Sequence, residues 1–254
     1  NPVYHGPFLY HITALVFALF GDNDVTGRVA TSLAGVLIAL SPLALYRWLG
    51  KRGTLAAMLI IAISPVMMYR SRFIRHDPWT VVFNLVLFVA ILYYLRERKE
   101  HWLYWAAAAI ALGFAGKETT FITYFIFGTF LAVLFLYQII ERWNVPDRLR
   151  AWSRLPVFDL LIVIGTLILP TATPIPVSLL GRDPIDYGPS GIVFTGAILL
   201  VMIAISAVIG MLWDRRRWLI CAAVYYGIFL PLFTSMFTNG QGIATGLVGQ
   251  LGYW

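Results

Sequence analysis

Apolar runs long enough to cross a lipid bilayer recur along this chain, and the short stretches between them carry most of its charge. That alternation decides the fold class. Backbone N–H and C=O groups in hydrocarbon must be satisfied by the protein itself, and an α-helix does this within a single segment. A span needs about 20 apolar residues. Eight candidates reach or approach that length: 26–46, 54–70, 78–95, 102–116, 119–140, 157–178, 191–213 and 218–237. The expected fold is an all-α, polytopic transmembrane bundle of about eight spans. The fourth candidate is short, and the sixth contains Pro170, Pro174 and Pro176. Proline removes an N–H donor, so the second half of that run is expected to kink, break or re-enter. With 60% hydrophobic and 12% charged residues, the composition excludes an ordinary soluble domain, in which roughly 25% are charged.

Ahead of the first span, Pro7 to Phe20 places Phe8, Ile12, Leu15, Val16 and Leu19 on one helical face. The segment is too short to cross at about 1.5 Å per residue, and it predicts an amphipathic helix on the membrane surface. Asp24 is a candidate cap for the helix that follows. The whole of 1–254 reads as one transmembrane domain: an outer-face helix and loop over 1–24, eight spans over 26–237, and an outer-face segment over 238–254. Both ends read as those of a longer chain. The single cysteine, Cys221, lies in an apolar run and is expected to be inert core.

Orientation follows from lysine and arginine, which short cytoplasmic loops retain. Alternate connections carry thirteen of them in clusters around Arg47, Arg96, Arg148 and Arg216, against six (Arg28, Arg70, Arg72, Arg75, Lys117 and Arg182) in the other set. The richer set is expected to be cytoplasmic, which puts both termini on the non-cytoplasmic side. Trp48, Trp102, Trp105, Trp143, Trp152, Trp213 and Trp218 cluster near the cytoplasmic ends, as an interfacial belt would. The formal net charge of +7 is therefore read as topology signal and lipid contact, with no nucleic-acid partner.

Cytoplasmic loops are plain basic connectors, whereas the outer ones hold short phrases dense in His, Arg, Lys, Asp and Glu. The candidate site is on the outer face. Arg70, Arg72 and Arg75 close the second span and Lys117 closes the fourth, so four cations could converge there. Guanidinium forks bind phosphate oxygens in pairs and an ammonium adds a compact charge, a combination suited to a lipid-linked phosphate. Snorkelling at headgroup level would produce the same residues. His76 and Asp77 could orient a sugar hydroxyl, ligate a divalent cation or pair with the neighbouring arginines. Lys117 and Glu118 could form an ion pair at a helix end. Asp183 and Asp186 flank Pro184 and suit a turn as well as catalysis. His5 and His11, six apart, do not share a helical face, which argues against a two-histidine metal site. No phosphate-binding glycine loop, HExxH or CxxC occurs, so ATP-driven transport and zinc proteolysis have no sequence support.

The phrase His5-Gly6-Pro7-Phe8-Leu9-Tyr10, running through Leu19-Phe20-Gly21 to Arg28, resembles the lipid-phosphate-dependent glycosyltransferases of the GT-C superfamily. These include protein O-mannosyltransferases, aminoarabinose transferases and the archaeal-type flippase-associated membrane proteins. The likeness continues through Ala62-Ile63-Ser64-Pro65, Tyr69 to Phe73, Arg75-His76-Asp77 and Phe114 to Thr119. It is closest to the flippase-associated group, through Asp183 to Tyr187 and Thr238-Asn239-Gly240 to Tyr253-Trp254. The resemblance implies a GT-C-like fold in a prokaryotic inner membrane and a transferase taking sugar from a polyprenyl-phosphate carrier. In that scheme Lys117 binds the carrier phosphate and Arg72 and Arg75 assist. Asp77 and His76 are the catalytic candidates, Asp77 lining the acceptor or metal region, and Glu118, His5 and Arg28 complete the substrate side. The family's principal acidic motif precedes the His-Gly-Pro phrase, so no general base is assigned within this stretch. Two other classes stand beside the enzyme: an accessory subunit keeping this scaffold in a photosynthetic or energy-converting complex, packing through residues such as Gly35, Gly128 and Gly210, and a lipid-linked-sugar flippase or transporter component.

Overall fold

The structure, a computed structural model, describes residues 6–141, 152, 155–186 and 188–252, among which all regular structure is helical. His5, Arg148, Trp143, Tyr187, Tyr253 and Trp254 lie outside the described residues. Among the described residues, four helices are long and apolar enough to cross a membrane: Thr26–Ile63, Asp77–Glu97, Thr120–Glu141 and Pro189–Phe233.

Two of these, at 38 and 45 residues, exceed what one crossing needs, and each is folded back on itself. The first comprises α2 (Thr26–Leu40), a 3-10 segment (Ser41–Leu45) and α3 (Tyr46–Ile63), in which Gly50 takes φ 64° and ψ 176°. Glycine adopts that left-handed φ without the penalty of a Cβ. A short α4 (Pro65–Arg70) follows and brings Ser71 back beside α2, where the Ser32 hydroxyl donates to the Ser71 carbonyl at 3.4 Å. In the second, α10 (Pro189–Phe233), Asp214 is extended at φ −159° and ψ 105°. Its carboxylate accepts from the Arg217 N–H at 3.0 Å, which starts the second arm as an N-cap does. Gly210 then packs so closely on Trp218 that an added Cβ would lie 2.0 Å from the indole nitrogen. Eight residues of straight helix would separate the two by about 12 Å, so this contact exists only because the chain reverses. The first and second sequence candidates are thus the two arms of one folded helix, and the seventh and eighth are the arms of another.

The bundle is built further from α5 (Asp77–Glu97), α6 (His101–Gly116), α7 (Thr120–Glu141) and α8 (Pro156–Ile168). The proline-rich run breaks as expected: α8 ends at Ile168, a 3-10 turn covers Leu169–Ala172, and α9 spans Pro174–Leu179. The short α6 is the axis of the bundle, with α5, α8 and α10 packed around it and ten of its sixteen residues buried. Its small residues make this possible. Ala106, Ala107, Ala109 and Ala111 are at most 1% exposed, so neighbouring backbones approach closely. At Gly113 a Cβ would sit 1.8 Å from the Tyr124 hydroxyl, which donates to the carbonyls of Ala109 (3.2 Å) and Ile110 (3.1 Å). Cys221 is fully buried in the same core.

Two local expectations change. Asn23, not Asp24, caps α2: its side-chain oxygen accepts from the N–H groups of Val25 and Thr26, each at 2.9 Å. Asparagine one residue further back reaches both free donors, which leaves Asp24 exposed. α1 (Phe8–Phe20) forms, but its apolar stripe divides. Leu9 and Val16 are buried and Phe8 packs edge-on to Trp79 and Phe83, whereas Leu15 and Leu19 face outward with Tyr10 and Phe20. The helix is held by the bundle on one side and presents apolar side chains on the other.

Candidate functional site

One end of the bundle gathers the last turn of α4, the first turn of α5 and the last turn of α6. Asp77 opens α5 immediately before Pro78, a residue preorganised for a first helical turn, and a carboxylate there complements the positive end of the helix dipole. Lys117 follows the last residue of α6, with its backbone extended at φ −157° and ψ 138°. The Thr120 hydroxyl pins this turn by donating to the carbonyls of Lys117 (2.6 Å) and Gly113 (3.0 Å).

The side chains then meet across 40 residues of sequence. Lys117 Nζ donates to Asp77 Oδ1 at 2.7 Å, Arg70 donates to Oδ2 at 3.3 Å, and Arg75 stands 4.0 Å from the same oxygen. Three cations share one carboxylate, leaving a local surplus of two positive charges beside a helix N-terminus. These residues line a cavity of about 390 Å³ whose other walls include Ile38, Met67 and Val81. Asp77 and Lys117 are roughly one-third and one-quarter exposed, so the cluster is neither fully hydrated nor sealed. A partly dehydrated cation surplus with an apolar wall is suited to a phosphate carried on an alkyl chain.

The other candidates take different places. Arg72 is exposed and does not line this cavity. α4 begins afresh after Ser64, and its register aims Arg70 rather than Arg72 at Asp77. His76 precedes the carboxylate and contributes through its backbone, its carbonyl accepting from both the N–H and the hydroxyl of Thr80 at 3.1 Å, while its ring lies 5.6 Å from that of Tyr10. Arg28 is exposed on α2 and lines a separate surface hollow with Asp24 and Ser32. Asp183 and Asp186 build turns, accepting from the N–H groups of Ile185 (3.0 Å) and Gly188 (2.8 Å). Among the described residues no group of three His, Cys, Asp or Glu gathers at one point. The Asp77 oxygens already face three cations, so these residues do not fit a divalent metal ion.

Glu118 is 9% exposed and lines a second cavity, of about 320 Å³, formed by α7, α8 and the segment around Gln250. Gln250 also donates to the Phe114 carbonyl at 2.8 Å, tying the end of the described chain to the last turn of α6. Sequence reasoning missed this residue, which sits in an unremarkable glycine-rich stretch.

It also missed the network at the opposite end. Asp159 on α8 is 3% exposed and accepts from Tyr94 (2.5 Å), Trp213 (2.9 Å) and Arg98 (3.4 Å), joining α5, α8 and α10. Arg217 donates to Glu100 at 2.9 Å and lies 3.4 Å from Asp214. Glu97 pairs with Lys99 at 3.0 Å and with Arg47. The signal was a lone carboxylate, Asp159, inside an otherwise apolar run, a position at which an ionisable residue needs a partner.

A family model described as dolichyl-phosphate-mannose-protein mannosyltransferase matches residues 4–170, well over half of the chain and all of the cation cluster. No curated protein and no solved structure matches.

Proposed function

Because the chain belongs to the dolichyl-phosphate-mannose-protein mannosyltransferase family, we propose that it transfers a sugar from a polyprenyl-phosphate carrier, with the Asp77 cluster holding the carrier phosphate. The observation that carries this reading is the convergence of Lys117, Arg70 and Arg75 on a single carboxylate beside a cavity with one apolar wall. An incoming phosphate can replace Asp77 as partner to two of the cations without leaving the third unpaired. During transfer the acceptor's oxygen or nitrogen bonds to the anomeric carbon as the bond from that carbon to the phosphate oxygen breaks, charge grows on the departing phosphate, and that phosphate takes up the proton the acceptor loses. Cations already in position stabilise that charge without reorganising.

In this reading the eight apolar segments each cross the membrane, the two folded helices crossing twice, and the cation-surplus end faces away from the cytoplasm as the lysine and arginine count predicts. Outward-facing apolar residues such as Leu59, Ile126 and Leu212 suit lipid and partner helices alike, so they do not favour the accessory-subunit alternative.

Full-length protein in lipid nanodiscs, supplied with a polyprenyl-phosphate-linked sugar, tests the proposal through Lys117→Ala. Transfer should fall by on the order of 10²–10³, the usual cost of removing one charge-stabilising donor. Unimpaired transfer by that variant overturns it.

A further inference from the structure

We infer that Gln250 is a positioning residue for the phosphate site, holding the end of α6 in the shape from which Lys117 reaches Asp77. The inference rests on the transferase reading and adds to it a residue beyond the stretch 4–170 that the family model matches.

α6 stops at Gly116 because Lys117 leaves it in an extended conformation, and a helix that stops leaves its last carbonyls short of partners. The carbonyl of Gly113 is met by the Lys117 N–H at 3.0 Å and by the Thr120 hydroxyl. The carbonyl of Phe114 is met from far along the chain, by Gln250 Nε2 at 2.8 Å. Phe114 is 2% exposed, so water is a poor substitute, and a carbonyl stranded there would carry its desolvation cost unrelieved. Twisting the last turn toward another donor would relieve it. The same twist would swing Lys117, three residues on, away from the carboxylate that it meets at 2.7 Å. Thr120 thus fixes Lys117 from within its own turn, and Gln250 fixes it from across the molecule.

The segment that delivers Gln250 is itself tightly placed. After α10 the chain turns through Ser235, Met236 and Phe237, three consecutive residues other than glycine at φ 49°, 56° and 67°. The left-handed region penalises each of them, and such a run persists only where its surroundings fix it. Here the Met236 N–H donates to the Pro231 carbonyl at 2.7 Å, the Phe237 N–H to the Thr234 hydroxyl at 3.0 Å, and the Asn239 N–H to the Thr234 carbonyl at 2.8 Å. The strap that follows lies flat on the bundle. A Cβ added at Gly242 would sit 1.8 Å from the Phe233 carbonyl oxygen, and one at Gly246 2.7 Å from the Phe233 ring. At the far end, a Cβ added at Gly252 would come within 3.1 Å of Ile185 and 3.3 Å of Pro184. Gln250 stands between these seated glycines, which sets the point at which its amide meets α6.

The test uses full-length protein in lipid nanodiscs with a polyprenyl-phosphate-linked sugar, the enzyme in excess so that slow transfer is still read. Gln250→Met keeps the length of the side chain and removes the donor. It should lower the transfer rate by on the order of 10 to 10², the scale of a small misplacement at a reacting centre, with helix content unchanged. In the Lys117→Ala background the same change should cost less than about twofold, because Gln250 acts through a side chain that is gone. A loss from destabilisation alone would be as large in either background. Gln250→Glu gives a second measurement. Protonated, it can donate to the Phe114 carbonyl, and ionised it cannot, so its rate relative to the unaltered protein should fall as pH rises from about 4 to about 9. No loss in Gln250→Met, a full loss in both backgrounds, or a flat pH ratio overturns the inference. Lys117→Ala keeps the two readings apart. Unimpaired transfer there brings down the phosphate site and this inference with it, whereas impaired transfer there beside unimpaired Gln250→Met brings down the inference alone.

Discussion

The two ends of α5 lie about 30 Å apart and use the same residue types to opposite effect. At the Glu97 end, the described ion pairs match four cations (Arg47, Arg98, Lys99 and Arg217) with four carboxylates (Glu97, Glu100, Asp159 and Asp214). At the Asp77 end, one carboxylate serves three cations. In these pairs each carboxylate already has a cation beside it, so the pairs themselves leave no surplus charge. A surplus of like charge costs stability unless something anionic relieves it, so proteins keep one where an anion binds. Counting basic residues along the sequence points the other way, because the set at the Glu97 end is richer. What distinguishes the ends is how many carboxylates stand among the cations.

Breaking this contrast should have graded effects. The largest is Lys117→Ala, a loss of on the order of 10²–10³ in transfer rate with helix content and membrane insertion unchanged, read by turnover and circular dichroism. At the balanced end, Asp159→Ala should instead cost about 2 kcal/mol of stability by stranding three donors, while surviving protein keeps its KM for the carrier. Denaturant unfolding in mixed micelles measures it, and Asp159→Asn should recover part of the loss. Arg70→Ala removes one of three cations at 3.3 Å and should weaken carrier binding about tenfold, less than Lys117, because the guanidinium is more exposed. Arg47→Ala, at an exposed pair with Glu97, should leave both stability and transfer essentially unchanged. If Arg47→Ala matched Arg70→Ala in its effect on binding, the division between the ends would fail.

Hydropathy located the apolar segments well because burial in lipid is a property of composition, legible residue by residue. It could not tell that the shortest segment would be the axis. That role comes from the alanines and glycines of α6, and small size becomes an advantage only when neighbours close around it. The proline-rich run broke as its missing donors required. At the site, the convergence of Arg75, Asp77 and Lys117 could be framed from the sequence as a possibility, since each closes or opens a span on one face. The choice of Arg70 over Arg72 could not, because it depends on the register of a six-residue helix after a backbone break. The partners of Asp159 and Gln250 could not be named for a related reason: Tyr94 and Phe114 are 65 and 136 residues away in sequence.

The reversal at Asp214 sets a limit on how this chain can evolve. Ordinary connections absorb an inserted or deleted residue by changing shape, but here the two arms are joined through one extended residue, and Gly210 is seated against Trp218. One added residue would swing the second arm by about 100° and advance it about 1.5 Å, unseating Trp218 and turning Tyr225 and Phe229 out of the core. Length variation should therefore be tolerated elsewhere and purged between Gly210 and Trp218, where the spacing of residues matters more than their chemistry.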